Sequence, residues 1–206
     1  MAAKKATQSR SPAASRLNGA NGGDSELRSR LVEAAVGLFT QKSYQSVTVA
    51  DIGRAANVTG PALYRHFASK EALLAAALHV IGERLIEDAK QIVAEAESPE
   101  IALKRLLQTF ARAAVVEKSR MVMGYVSEAA HLSAADRKKL DDRYRTYVGF
   151  ISDVLAIVSP GLRDEERSLR VQAAMWMINS SPYYVSGLHK ATLMDTLVDL
   201  ALKMMV

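Results

Sequence analysis

Hydrophobic residues recur at helical spacing along almost the whole chain from residue 24 onward. Leu27, Leu31 and Leu38, for example, fall on one face of a helix, because residues three, four and seven apart share a face. From residue 24 onward we find no convincing run of alternating apolar and polar residues that predicts a strand, and no convincing hairpin turn. The pattern therefore predicts an all-α protein.

Start and stop signals divide this pattern into nine helices. Residues 1–23 lie outside them, since they are rich in Ala, Ser, Gly and Asn and lack periodicity, and we expect them to form a disordered basic tail. The clearest break later in the chain is the Ser-Pro-Gly sequence at 159–161. The predicted helices lie near residues 24–42, 49–56, 59–67, 70–95, 99 onward, 120–130, 134–158, 163–181 and 190–206.

Two of the predicted helices are short and follow each other closely. Thr48 and Asp51 have the spacing of a capping box, which starts the first of them. Asn57 tolerates the left-handed backbone conformation that ends a helix. With Thr59 as the next N-cap, Val58 and Leu63 form a hydrophobic staple, and a proline is tolerated in the first turn because amides there have no intrahelical partner.

The second short helix is predicted to expose one face. Leu63 and Phe67 lie one turn apart and are expected to point into the core, which leaves Tyr64 and Arg65 on the solvent side. Two short helices joined by a tight turn at 56–58 form a helix-turn-helix, whose second helix presents its N-terminal residues to base edges in the major groove of DNA. Residues 24–70 are thus a predicted DNA-binding domain, and residues 71–206 a larger helical domain.

The exposed residues have the chemistry that DNA contact requires. Gly60 and Ala62 permit close backbone approach, and Pro61 and Ala62 offer small apolar surfaces to thymine methyl groups. Tyr64 can reach a phosphate, whereas Arg65 either reads guanine or neutralises phosphate. We expect DNA contacts from Thr48, Thr59, Gly60, Pro61, Ala62, Tyr64, Arg65, His66 and Lys70. The alternative for Tyr64 and His66 is structural, since both can pack between helices. Thr48 and Thr59 are expected to cap helices whatever else they do.

The charge distribution favours the same end of the chain. Residues 1–70 hold ten Lys or Arg against four Asp or Glu, a net charge of +6, whereas residues 71–206 hold seventeen against eighteen, a net charge of −1. A basic end joined to a neutral body is typical of polyanion binding. A basic tail that only aids solubility explains part of this excess, but +2 remains within residues 24–70.

The segment "TVADIGRAANVTGPALYRHFASKEALL", Thr48 to Leu74, resembles the TetR family of bacterial transcriptional regulators. The resemblance implies a homodimer that binds a double-stranded DNA operator and a small effector. It places Thr48, Gly60, Pro61, Ala62, Tyr64, His66 and Lys70 at positions used for contacts with bases or phosphates. Ala50 departs from the pattern, because many relatives carry a base-reading arginine there, so DNA shape is expected to contribute more to specificity.

In the larger domain, the resemblance assigns dimerisation to the helices at 163–181 and 190–206. Their expected interface residues are Trp176, Leu193, Leu197, Leu200 and Met204, although packing within one chain explains the same stripe. Adaptable apolar residues on the central helices indicate a pocket for an apolar effector, with ordinary core packing as the alternative. The expected ligand-binding residues are Phe110, Met121, Met123, Tyr125, Phe150, Trp176 and Met177.

Two segments give a hint about the effector. The stretches "EAAHLSAADRKKLDDRYRTYVGFISDVL" and "MINSSPYY" resemble a subgroup of these regulators linked to fatty-acid or acyl-CoA metabolism. The basic run of Arg137, Lys138, Lys139 and Arg143 can meet a CoA phosphate. A basic run just after a helix start is, however, more often a solvated helix face.

The sequence offers little for catalysis or metal binding. The chain has no cysteine, which excludes thiolate chemistry and fits a reducing cytoplasm, and its longest apolar runs fall short of a membrane span. Glu128 and His131 have the spacing of a di-iron half-site, but the carboxylates needed to complete one are missing. We therefore expect no cofactor, no metal, no membrane association and no enzyme activity. The alternative hypothesis is a helical small-molecule-binding or catalytic protein without DNA function.

Overall fold

The computed structural model describes residues 13–115, 128–181 and 187–206, and these ranges hold eight α-helices and no strand. Two 3₁₀ segments, Tyr44–Ser46 and Glu128–His131, accompany them. The all-α prediction is confirmed. The helices are α1 (Ala13–Gln41), α2 (Val49–Ala55), α3 (Gly60–His66), α4 (Lys70–Glu95), α5 (Pro99–Val115), α6 (Ala134–Val158), α7 (Asp164–Ser180) and α8 (Lys190–Met205).

Helix α1 begins eleven residues before its expected start at Asp24. The described helix therefore includes residues 13–23, which the sequence assigns to the tail. Gly19, Gly22 and Gly23 each disfavour a helix by about 1 kcal/mol relative to alanine. Elongation from the amphipathic part of α1 nevertheless needs no new nucleation, because each added residue forms one further backbone hydrogen bond. The predicted tail at residues 1–12 lies outside the described residues.

Serine hydroxyls cap α4 and α6 at the starts that the sequence predicts. Ser69 caps α4 by accepting a hydrogen bond from the Ala72 amide at 3.2 Å, and Ser133 caps α6 through the Asp136 amide at 3.1 Å. Each bond satisfies one of the amides that lack an intrahelical partner in a first turn. Most of the helix predicted at 120–130, namely residues 120–127, lies outside the described residues.

The buried residues form two hydrophobic cores. The first holds α1, α2, α3 and the beginning of α4, and the second holds the rest of α4 with α5, α6, α7 and α8. Leu132, which precedes α6, is buried in the first core, so the C-terminal part of the chain reaches into the helix-turn-helix region. Helix α4 contributes residues to both cores and so connects the two parts; the boundary at residue 70 stays a prediction.

The second core contains one internal polar anchor. Tyr147 on α6 is buried and donates a hydrogen bond from its hydroxyl to the Leu106 carbonyl on α5 at 2.9 Å. Burial raises the pKa of Tyr147, since the phenolate would lose its hydration. Throughout the described ranges, every helix is too short or too polar to cross a membrane.

Candidate nucleic-acid interface

A complete capping box sets the start of α2. The Thr48 hydroxyl accepts a hydrogen bond from the Asp51 amide at 3.1 Å, and the Asp51 carboxylate accepts from the Thr48 amide at 3.0 Å and the Thr48 hydroxyl at 2.7 Å. The Thr48 hydroxyl is the main cause that lowers the pKa of Asp51. The predicted capping box is confirmed, and it fixes the first turn of α2 at the protein surface.

The turn between α2 and α3 depends on two residues with special backbone requirements. Asn57 has a φ of 55°, in the left-handed region that the sequence predicts for it. The Val58 amide donates to the Gly53 carbonyl at 2.7 Å, and a Cβ on Gly53 would lie 2.7 Å from the Val58 carbonyl oxygen. Gly53 therefore lets the chain fold back tightly onto α2. Our sequence analysis missed it, although a glycine inside a helical pattern often marks a close backbone approach.

Gly53→Ala is expected to destabilise the protein by about 1–3 kcal/mol, because the added methyl group meets backbone that cannot move aside alone. The measurement is the unfolding free energy from urea denaturation. Gly37→Ala is the matched control, since Gly37 also lies within a helix but has open space around it. That control is expected to stabilise the protein by about 0.5–1 kcal/mol, and an equal loss in both variants would contradict this role for Gly53.

Helix α3 separates a buried face from an exposed face. Leu63 and the following Phe67 are buried in the first core, whereas Tyr64 is 55% exposed and Arg65 is exposed. Val58 and Leu63 both pack in that core, as the predicted staple requires. The exposed side also carries Thr59, Gly60 and Pro61, with Ala62 partly exposed.

Thr59 occupies the N-cap position of α3, but its side chain makes no capping hydrogen bond. The expectation that Thr59 caps through its hydroxyl is therefore wrong. Pro61, which lacks an amide hydrogen, lies in the first turn of α3, so fewer amides there need a partner. The Thr59 hydroxyl, at an exposed residue, is not committed to capping.

His66 does not share the exposed face. Its side chain is only 7% exposed, and Nε2 lies 3.5 Å from the Asp24 carboxylate on α1. The structural alternative for His66 is thus the better description, and its expected DNA contact is not supported by this placement. His66 follows Tyr64 by only two residues on α3, and residues two apart do not share a helix face. The His66 side chain therefore faces α1, whereas Tyr64 faces solvent.

Lys70 and the start of α4 lie beside the helix-turn-helix. The Lys70 ammonium lies 4.0 Å from the ring centre of the buried Tyr44, and the Tyr44 hydroxyl donates to the Glu71 carboxylate at 2.7 Å. This hydrogen bond is the main cause that lowers the pKa of Glu71. Tyr44, which our sequence analysis missed, thus anchors the first turn of α4 and orients Lys70 by a cation–π contact.

The expected effector residues are distributed unevenly. Phe110 is buried in the second core and borders a small apolar cavity of about 60 Å³ together with Tyr144 and Tyr147. Phe150 and Met177 are partly buried against that core. Met121, Met123 and Tyr125 lie outside the described residues. Trp176 is 53% exposed, so it does not line an internal pocket.

The expected dimerisation residues divide into two sets. Leu197 is buried in the second core and Leu193 packs against it, so the core of the chain itself covers this part of the α8 stripe. Trp176, Leu200 and Met204 are exposed. They remain the residues available to a second copy.

His131, considered above as part of a di-iron half-site, makes a packing contact instead. The ring of His131 packs on Tyr44, with ring centres 4.6 Å apart, so it contributes to the contact between the C-terminal part and the helix-turn-helix. Within the ranges that the structure describes, no group of three His, Asp or Glu residues is placed to hold a metal ion.

One segment of the chain matches a model of a known protein family. The profile described as bacterial regulatory proteins, tetR family, matches residues 31–77. The HTH-type transcriptional repressor KstR2 of Rhodococcus jostii (strain RHA1) is 31% identical over 115 residues, 56% of this chain and 56% of the relative. The chain thus matches little more than half the length of that curated relative.

Solved structures show the same fold over more of the chain. The crystal structure of AibR in complex with isovaleryl coenzyme A and operator DNA has a TM-score of 0.68 at 20% identity, over 84% of this chain and 97% of AibR. FadR from Bacillus subtilis, in complex with stearoyl-CoA, has a TM-score of 0.65 at 16% identity, over 84% of this chain and 96% of FadR. The helix-turn-helix and the start of α4 thus match the model of bacterial regulatory proteins of the tetR family, and the described helices share the fold of these solved structures.

Proposed function

We propose that this chain is a DNA-binding transcriptional repressor that inserts α3 into the major groove of its operator. The observation that carries this proposal is the exposed face of α3, with Tyr64 and Arg65 outside and Leu63 buried. The capping box of α2 and the tight turn after it fix the orientation of α3. The backbone of α3 therefore loses little conformational entropy on binding. The relative named as a transcriptional repressor supports the same function.

The proposed repressor acts as a homodimer on a pseudo-palindromic operator. Helices α7 and α8 contact each other, and Arg170 on α7 donates to the Met204 and Met205 carbonyls at the end of α8. Trp176 on α7 and Leu200 on α8 expose large apolar side chains. Exposed apolar groups on adjacent helices are suited to a symmetric interface, and two recognition helices read more base pairs than one.

The proposed effector has an apolar part, such as a fatty acid or an acyl-CoA. The solved structures of AibR and FadR contain acyl-CoA ligands, and the cavity beside Phe110 is almost entirely apolar in its lining. Release from DNA requires that the effector bind the DNA-incompetent arrangement more tightly than the competent one. Helix α4 is suited to carry this change, because it contributes to both cores.

Selection from a library of random duplexes tests the DNA-binding function. The purified chain is expected to enrich duplexes that contain an inverted repeat, whose half-sites lie about one helical turn apart. Enrichment is expected to disappear at high salt, because phosphate contacts weaken as counterions accumulate. Recovery of no common sequence at low salt would favour the alternative, a helical ligand-binding or catalytic protein without DNA function.

A further inference from the structure

A second, more polar cleft lies where the helix-turn-helix meets the C-terminal body. It has a volume of about 490 Å³ and is bounded by α1, the first half of α4, and the start of α6. This volume falls within the range of about 300–1,000 Å³ that small-molecule sites occupy. The cleft is distinct from the apolar cavity beside Phe110, although the two share the walls formed by Leu78, Leu140 and Arg143.

Cationic side chains from two helices converge on this cleft. Arg28 comes from α1, and Lys139 and Arg143 come from α6; His79 from α4 also lines the cleft, and Asp136 is the carboxylate in the lining. The same charges act on His79: burial is the largest cause that lowers its pKa, and the positive charges of Arg143, Lys139 and Arg28 lower it further, whereas Glu83 raises it. The cleft therefore has a positive local field.

Two carboxylates, Asp136 and Glu83, lie near these cations and partly neutralise them. The Asp136 carboxylate accepts a hydrogen bond from the Ser133 hydroxyl at 2.7 Å and lies 3.3 Å from the Lys139 ammonium. Glu83 accepts from Nε of Arg143 at 2.8 Å and lies 3.7 Å from Nδ1 of His79. An arginine has five N–H donors, so the Glu83 contact leaves Arg143 able to donate to a further anion.

Apolar surface adjoins the cations. Val32 on α1, Leu132 before α6 and Leu140 on α6 line the cleft. Gly82 on α4 allows Arg143 to cross close to the α4 backbone, because a Cβ there would lie 2.8 Å from Cδ of Arg143. Arg143 thus stands between the polar cleft and the apolar cavity, with Gly82 lining the cavity side. These two adjoining surfaces fit a molecule with an anionic head, which would contact the cations, and an apolar chain, which would contact the apolar residues.

We propose that the cleft between α1, α4 and α6 binds a small amphipathic anion, whose carboxylate or phosphate head lies among Arg28, Lys139 and Arg143. Its apolar part lies on the side of Leu140 and points towards the cavity beside Phe110. The site is regulatory, and this part of the proposal rests on the proposed function as a repressor. A ligand held by α1 and α6 together fixes the helix-turn-helix relative to the C-terminal body, and therefore changes the geometry that α3 presents to DNA.

Calorimetric titration of the full chain with octyl phosphate, octanoate and 1-octanol tests the site directly. The two anions are expected to bind in a saturable manner, and 1-octanol at least about tenfold more weakly, since it lacks the charged head. The tighter of the two anions identifies the head group as phosphate or carboxylate. Equal binding of all three compounds, or no binding of either anion at millimolar concentration, would overturn the proposal.

Charge reversal at two neighbouring lysines locates the bound anion. Lys139 lines the cleft, whereas Lys138 is 77% exposed, pairs with Asp142 and does not line it. Lys139→Glu is expected to weaken octyl phosphate or octanoate binding by about tenfold, and Lys138→Glu by less than about twofold, although both variants change the net charge equally. Equal weakening in the two variants would place the anion elsewhere. If Lys139→Glu does not fold, as judged by circular dichroism, Lys139→Gln replaces it with an expected loss of about fivefold.

The outcome separates this site from the proposed function because calorimetry needs no DNA. A chain that binds the anions in the Lys139-dependent manner but selects no duplex would refute the repressor and leave the site in place. A chain that selects an inverted repeat but responds equally to the two lysine variants would refute only the site.

Discussion

Replacing Tyr64 and Lys70 together by alanine is expected to lower the affinity for the selected operator by about a hundredfold or more. Tyr64 is exposed on α3, and Lys70 starts α4, where the helix dipole adds to its positive charge. Each hydrogen bond to a charged phosphate contributes about 1.5 kcal/mol or more, and a dimer loses every contact twice. The measurement is a titration of labelled operator by fluorescence anisotropy.

The salt dependence of the single variants distinguishes the two roles. Lys70→Ala removes one phosphate-neutralising charge from each protomer, so the slope of log affinity against log salt is expected to fall by about 1.8 for the dimer. Tyr64→Ala is expected to leave the slope unchanged, because the hydroxyl is neutral. Both losses are expected to be similar for operator and unrelated DNA if these residues contact phosphates.

Lys90→Ala is the matched control for the lysine. Lys90 lies on the same helix and is exposed, but it is about 30 Å from Lys70 along α4 at 1.5 Å per residue. It is expected to change neither affinity nor slope. An operator affinity that stays the same in the Tyr64 and Lys70 double variant, in a protein that remains folded, would reject the proposed DNA contacts.

Leu200→Arg is expected to dissociate the proposed homodimer, with an increase of about a thousandfold in the dissociation constant. The arginine places a charge in an apolar interface, and the two-fold symmetry places a second copy close to it. The measurement is sedimentation equilibrium, which is expected to shift from twice the chain mass to the 22.4 kDa of one chain. Operator affinity is expected to fall as well, because a monomer reads only one half-site.

Val93→Arg is the control for this variant. Val93 lies on α4 and is 42% exposed, close to the 44% of Leu200, but it is not part of α7 or α8. It is expected to leave the dimer intact. A wild-type chain that sediments as a monomer at high concentration, or equal dissociation in both variants, would contradict an interface made by α7 and α8.

Local sequence signals predicted the helix-turn-helix well. The capping box of Thr48 and Asp51, the left-handed Asn57 and the buried Leu63 are all present. Each depends on residues fewer than five positions apart, so the chemistry that determines it is contained in a short stretch of sequence. The starts of α4, α5 and α6 were predictable for the same reason.

The direction in which a side chain faces was less predictable. His66 follows Tyr64 by two residues, and only the position of Asp24 on α1 shows that it is covered by another helix. Leu197 and Leu200 lie one turn apart on α8, yet the first is buried within the chain and the second is exposed. Helical periodicity identifies an apolar stripe, but it does not say which part of a broad stripe the chain's own core covers.

Contacts between distant residues were missed altogether. Tyr44 supports Lys70 and receives His131 from the C-terminal part of the chain, and Arg143 reaches Glu83 across Gly82. None of these pairs lies within one helix, so no short-range spacing rule indicates them. The cleft between α1, α4 and α6 depends on such contacts, and the structure was required to find it.

Dimethyl sulfate footprinting of the selected operator tests most directly whether α3 lies in the major groove. The reagent methylates guanine N7 in the major groove and adenine N3 in the minor groove, and these atoms are the acceptors that each groove displays. The chain is expected to protect guanine N7 in two clusters about one helical turn apart. Protection confined to adenine N3, or no protection at saturating protein, would contradict the docking of α3 in the major groove.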